Sequence, residues 1–275
     1  MTPDLAVELI NATVQLEQPL ADGQRTVGTG FLVSAPTADG RPRTVLVTAA
    51  HVFEKMPSAG VKVGYRIADA KGGWSFAPQT LDIRARSGGE LWTQHPDRDV
   101  AVMEIKAPPE FAKAAIPLNW LAEEDTFARY STGPGDEMFA LGFPRGLSAN
   151  KAGFPILRAG RVASYPLTPS ADYPTFLLDF AVFPGNSGGP VFLADGGKRR
   201  GAAEDAESGQ FIAGVLTQQV ELKNDRLEIG IVTHAAYVRE AIGLLDGRAP
   251  APSRPTVVAA GAPGAMDAAQ AASAR

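Results

Sequence analysis

The sequence predicts an all-β fold, two packed six-stranded antiparallel β-barrels followed by one C-terminal helix. Three observations predict it. About twelve short runs of alternating or β-branched residues recur between turn signals. A single segment carries helix start and stop signals at a usable length. Strands spread over about 240 residues exceed what one closed sheet ordinarily holds, so two barrels share them.

In chain order the first six runs are ATVQLE, GFLVSA, TVLVTAA, VKVGYRI, TLDIRA and DVAVMEI. The second six are MFALGF, AGRVASY, TFLLDFAV, GPVFLA, FIAGVL and EIGIV. Between the sets, APPEFAKAAIPLNWLAEEDTFARYSTGPGDE lacks strand periodicity and carries several Pro and Gly residues, which sets the barrel boundaries at 1–115 and 116–246. One-turn helices are expected after His51 and around residues 109–114. Near the end Thr233 is placed to cap THAAYVREAIGLL, and Gly247 to close it. Residues 247–275 are too poor in large apolar side chains to offset the entropy of ordering, so a disordered tail is expected. The charged, Gly-rich stretch ADGGKRRGAAEDAESGQ reads as an exposed loop between two strands.

Composition narrows the function. The 275 residues are 45% hydrophobic, enough for one large core or two small ones. Lys+Arg 26 against Asp+Glu 30 leaves a net charge of -4, which offers no field to hold phosphates, so a nucleic-acid partner is disfavoured. With no cysteine there is no disulfide framework, cysteine nucleophile or thiolate metal site. The start MTPDLAVELINATVQLEQ carries Asp4, Glu8 and Glu17 and no unbroken apolar run, so the expectation is a cytoplasmic protein without a membrane partner.

The sharpest local motif is Gly185-Asn186-Ser187-Gly188-Gly189-Pro190. Glycines accept φ > 0 and leave room for a substrate carbonyl, so such a serine can sit on a tight turn among outward-facing N–H groups. A plain Gly/Pro turn is the bland alternative. The same residues satisfy G-x-S-x-G, with Asp225 and His234 following in nucleophile-elbow order, but an elbow needs a helix after the serine and Pro190-Val191-Phe192-Leu193 reads as a strand. Upstream, TAAH places His51, one of three histidines, at the end of a strand run, and Asp99 in DRDVAVMEI precedes another. Alone, His51 reads as an ordinary surface or core residue and Asp99 as a strand-edge or turn aspartate. The order His51, Asp99, Ser187 is instead that of a chymotrypsin-type catalytic triad.

From GTGFLVS at residue 28 to the helix ending near 246, the chain resembles trypsin-like serine peptidases, especially the bacterial high-temperature-requirement type. GTGF, TAAH, DVAV, ALGFPRG, AGRVAS, LLDFAVFPGNSGGPVF and IGIVTHAAYVREAI carry the likeness in register. The resemblance implies a serine endopeptidase with His51 as general base, Asp99 orienting it and Ser187 as nucleophile. It implies N–H groups of Gly185 and Ser187 in an oxyanion hole, a protein or peptide substrate, and no metal or cofactor. The alternatives are a protease-like peptide-binding module and an esterase.

Where the trypsin pattern has an acidic residue six positions before the nucleophile, this sequence has Ala181, so no countercharge for Arg or Lys is expected there. Val182, Leu216, Thr217 and Gln218 are the other expected pocket residues, giving a preference for small or medium aliphatic side chains. Asn186 replaces the aspartate that receives a freed N-terminus in vertebrate-type trypsins, so zymogen cleavage is not expected. Asp97 reads as a solvated turn residue, His95 and His234 as structural or exposed, and Asp179 as core-facing.

Overall fold

The computed structural model describes residues 4–194, 209–222 and 225–247. The tail from residue 248 and most of the Gly-rich loop lie outside these residues.

The first sheet contains β1 (Thr13–Pro19), β2 (Arg25–Pro36), β3 (Pro42–Thr48), β4 (Gly60–Gly64), β7 (Gln79–Asp82), β8 (Thr93–Gln94) and β9 (Ala101–Ile105). They run in the order β7-β4-β1-β2-β3-β9-β8, with β10 (Ile116–Pro117) added beside β2. A short hairpin, β5 (Arg66–Ala68) with β6 (Trp74–Phe76), stands apart. The sheet curls into a half-barrel rather than closing on itself. The second barrel is closed, in the order β11 (Glu137–Gly142), β12 (Ile156–Val162), β13 (Thr175–Asp179), β16 (Asp225–His234), β15 (Phe211–Leu222) and β14 (Pro190–Leu193).

The period of two explains the packing between the halves. Phe31, Val33, Val45, Val47, Val100 and Val102 join one buried cluster with the second barrel's Met138, Leu141, Val191 and Phe192. The alternating residues Leu32, Leu46, Ala101 and Met103 join a second cluster inside the half-barrel. Central strands buried on both faces read as nearly continuous apolar runs, which is what TVLVT and VAVMEI are.

An eight-residue helix that the strand pattern did not reveal, α1 (Leu5–Ala12), precedes β1. Asp4 caps it by accepting the Ala6 N–H, and Leu5, Leu9 and Ala12 bury its inner stripe. The one-turn helix α2 (Ala50–Glu54) includes His51 rather than following it, and α3 (Pro109–Ala114) forms where expected. The short α4 (Thr126–Arg129) lies in the connecting stretch. The C-terminal helix α5 (Ala235–Leu244) follows β16 directly, so its N-cap is His234, one residue beyond the expected Thr233. Gly247, at φ +72, donates its N–H to the Leu244 carbonyl. At that end Arg43 of β3 makes a two-pronged ion pair with Asp246, at 2.9 Å for both nitrogens.

Candidate active site

β3 pairs with β9 through Thr48↔Ala101, so Asp99, two residues before Ala101, arrives beside the first turn of α2. Its carboxylate holds His51 twice. Oδ1 accepts the His51 backbone N–H at 3.0 Å, and Oδ2 lies 2.7 Å from Nδ1. A carboxylate only accepts, so this contact calls for a proton on Nδ1, and in the neutral ring Nε2 is then the nitrogen with the free lone pair. Both side chains are about one-fifth exposed, at 20% and 23%, which leaves the ring reachable from outside.

The serine arrives from the second barrel. Phe183-Pro184-Gly185-Asn186 closes a turn in which the Asn186 N–H donates to the Phe183 carbonyl at 3.0 Å. Proline at the second position and glycine at the third, with φ +98, make it type II. Among the described residues, neither the Gly185 nor the Ser187 N–H has a hydrogen-bond partner. The Gly188 N–H, by contrast, donates to Leu216 at 2.8 Å. Gly188, at φ +88, meets Thr29, Thr48 and Ala49 so closely that a Cβ would strike the Thr29 carbonyl. That contact brings the loop that carries Ser187 against the strand that leads to His51.

Ser187 Oγ donates to the Thr217 carbonyl at 3.0 Å and makes no hydrogen bond to His51. Thr217 is the extra residue of a β-bulge, because Leu216 pairs with Val232 while Gln218 pairs with Ile231. A bulge re-aims the backbone locally, and here it accompanies the turning of the Thr217 carbonyl to the serine. The bulge depends on the register of the partner strand, so no local sequence signal marks it.

Of the expected pocket residues, Ala181 and Gln218 are half-buried and Val182, Leu216 and Thr217 are buried. Val182, Leu216 and Phe180 converge on Gly230, where a Cβ would lie 3.0 to 3.1 Å from Val182 and Leu216 and 2.8 Å from Phe180. The Arg158 guanidinium stacks over Phe180 at 5.6 Å and Phe183 at 5.3 Å. No local sequence pattern marks Gly230 or Arg158 for this place.

Asp97 is exposed, and its N–H donates to Nδ1 of the buried His95, whose Nε2 lies 3.2 Å from Glu240. His234 lies between Phe127 and Phe176, at 5.0 and 5.1 Å, with its pKa lowered to about 4 chiefly by burial. That buried setting and the strand after Ser187 leave no nucleophile elbow. Asp179 is exposed at the end of β13 rather than core-facing, because the inward positions there are Phe176 and Leu178. Among the described residues, no group of three or more His, Asp or Glu is placed to hold a metal.

A family model for the trypsin-like peptidase domain matches residues 28–198. The chain belongs to the trypsin-like peptidase family. Its fold is shared with a variant of the HtrA-type protease AlgW solved with a tripeptide. The two align with a TM-score of 0.52 at 17% identity, over 88% of this chain and 62% of that one. This peptidase domain therefore spans less than two thirds of that protein's length. No curated protein matches the chain in sequence.

Proposed function

We propose that this chain is a serine endopeptidase in which Ser187 is the nucleophile, His51 the general base and Asp99 its orienting partner. The observation that carries the reading is the double hold of Asp99 on His51, which leaves Nε2 as a proton acceptor. Rotation about the Ser187 side chain would exchange the Thr217 carbonyl for His51. The Oγ proton then passes to Nε2 as Oγ bonds to the scissile carbonyl carbon. The oxyanion formed takes hydrogen bonds from the Gly185 and Ser187 N–H groups. Collapse breaks the C–N bond, and His51 returns its proton to the leaving amine. Water, deprotonated by the same base, bonds to the acyl carbon; the C–Oγ bond then breaks and His51 returns the proton to Ser187 Oγ.

The substrate class follows as a polypeptide, in keeping with the tripeptide bound to the AlgW variant. The apolar side chains around Gly230, together with Ala181, favour a small or medium aliphatic residue before the cut bond. Burying such a side chain gains about 0.8 kcal/mol per methylene, whereas an uncompensated buried ammonium costs several kcal/mol.

A second reading, a peptide-binding module with little turnover, draws on the Ser187 hydroxyl resting on Thr217 rather than His51. Peptide hydrolysis by the wild type and Ser187→Ala separates the two. The protease reading expects turnover that vanishes in the variant while its melting temperature holds. Turnover that survives Ser187→Ala overturns it.

A further inference from the structure

We infer that Thr29 is a positioning residue for the oxyanion hole, holding from the first half of the fold the loop that carries both N–H groups. The inference rests on the function proposed above. A peptide unit is planar, with its C=O and N–H pointing in opposite directions, so a donor that fixes the carbonyl also fixes the N–H. The N–H groups of the hole belong to the Pro184–Gly185 and Asn186–Ser187 peptides.

All four carbonyls from Pro184 to Ser187 are engaged. Pro184 accepts from the Arg145 N–H at 2.6 Å and Asn186 from the Gly189 N–H at 3.1 Å. The other two are held by Thr29. Its hydroxyl donates to the Gly185 carbonyl at 2.7 Å, and its N–H donates to the Ser187 carbonyl at 2.9 Å. Thr29 is fully buried, so water has little access to its hydroxyl and N–H.

The same hydroxyl accepts the Phe143 N–H at 3.2 Å. Phe143 leads into Pro144–Gly146, where Arg145 adopts φ 53, a left-handed conformation uncommon for a non-glycine residue. A residue held in that region asks for a reason, and here its N–H is the one that fixes Pro184. Thr29 therefore fixes the peptide between the two of the hole and the one that follows them, and reaches the Pro184–Gly185 peptide through the turn carrying Arg145. Its own carbonyl accepts the Thr48 hydroxyl at 2.7 Å, three residues before His51. One residue, through its hydroxyl and its backbone, thus ties the oxyanion loop to the strand that presents the base.

The test compares Thr29→Val, which keeps the shape and removes the hydroxyl, with Thr29→Ser, which keeps the hydroxyl and removes a methyl. Thr29→Ala serves where the valine protein does not fold. Thr29→Val is expected to lower kcat by about 10- to 100-fold, below the loss from deleting a whole oxyanion donor. KM should stay within about two-fold, and Thr29→Ser should recover kcat to within about three-fold of wild type. Wild-type kcat in the valine protein, or a serine protein as slow as the valine one, overturns the inference. Amide hydrogen exchange supplies a readout without turnover. The Asn186 and Gly189 N–H groups, which close the loop's own turns, should exchange faster in Thr29→Val. Unchanged exchange overturns the clamp even where Ser187 proves catalytic. Faster exchange upholds it even where Ser187→Ala shows that the proposed chemistry is wrong.

Discussion

Replacing Asp99 with asparagine isolates the orienting role of the carboxylate, because shape and volume are kept while one acceptor becomes a donor. The carboxylate serves two donors at once, the His51 backbone N–H at 3.0 Å and Nδ1 at 2.7 Å. An amide has one oxygen and can satisfy only one of them. With the oxygen on the backbone N–H, the amide NH2 faces Nδ1, which must then accept. The ring proton moves to Nε2, the atom that takes the Ser187 proton in the proposed mechanism. With the amide turned round, the ring keeps its tautomer but the backbone N–H meets another donor. The first arrangement removes the base, and its cost in the general template is about 10⁴-fold in kcat, or about 5.5 kcal/mol of transition-state stabilisation. The pair is partly exposed, so the fold should lose no more than about 1 kcal/mol. Steady-state hydrolysis of a fluorogenic peptide and a thermal melt measure the two effects. The expected result is an Asp99→Asn protein with near-normal melting and almost no turnover, beside an unaffected Asp97→Asn control. An Asp99→Asn protein within tenfold of wild type would refute the reasoning.

Three other outcomes follow from particular contacts. His234, held to about 4 by burial, binds fewer protons folded than unfolded as pH falls from about 6.5 towards 4; its stabilising contribution is whole above that window and lost through it, about 3 kcal/mol in all. Urea melts of wild type and His234→Phe at pH 7 and 4.5 should therefore differ in pH dependence, and parallel losses would contradict this. Asp246→Ala strands the buried Arg43 guanidinium and should cost about 3 to 5 kcal/mol by urea denaturation, with a change below 1 kcal/mol counting against a structural pair. Cut sites mapped by mass spectrometry in an unfolded protein should follow Val, Ala or Leu; dominant cleavage after Arg or Lys would overturn the neutral reading of Ala181, and cleavage after Asp or Glu would bring Arg158 into the pocket.

The strands were legible where one or both faces are buried, since Phe31, Val33, Val45 and Val47 alternate with Leu32 and Leu46 between the two clusters. The serine loop was legible because its geometry forces its composition. Gly188 is wedged against Thr29 and Thr48, and Gly185 turns with φ +98. Helix α1 escapes the sequence pattern because it runs without a break into β1, and Ala12, its last residue, continues into the strand run ATVQLE. The open edge of the first sheet escaped because closure depends on strand tilt and stagger rather than on residue alternation. Thr29 and Gly230 escaped for a related reason. The hydroxyl of Thr29 meets partners 114 and 156 residues away, and Gly230 matters only for the side chains that fold over it. Long-range contacts of this kind leave a small residue in the sequence and no local pattern around it.

The most direct test of the central claim is labelling of the folded protein with a fluorophosphonate, read by peptide mass spectrometry. The reagent reacts with a serine only where a base has activated it and N–H groups stabilise the addition. Ser187 should carry the single label in the wild type, and the label should vanish in Ser187→Ala and in His51→Ala, each of which should remain folded. A wild type that melts normally yet takes no label, or a label on a serine other than Ser187, would contradict the assignment of His51, Asp99 and Ser187.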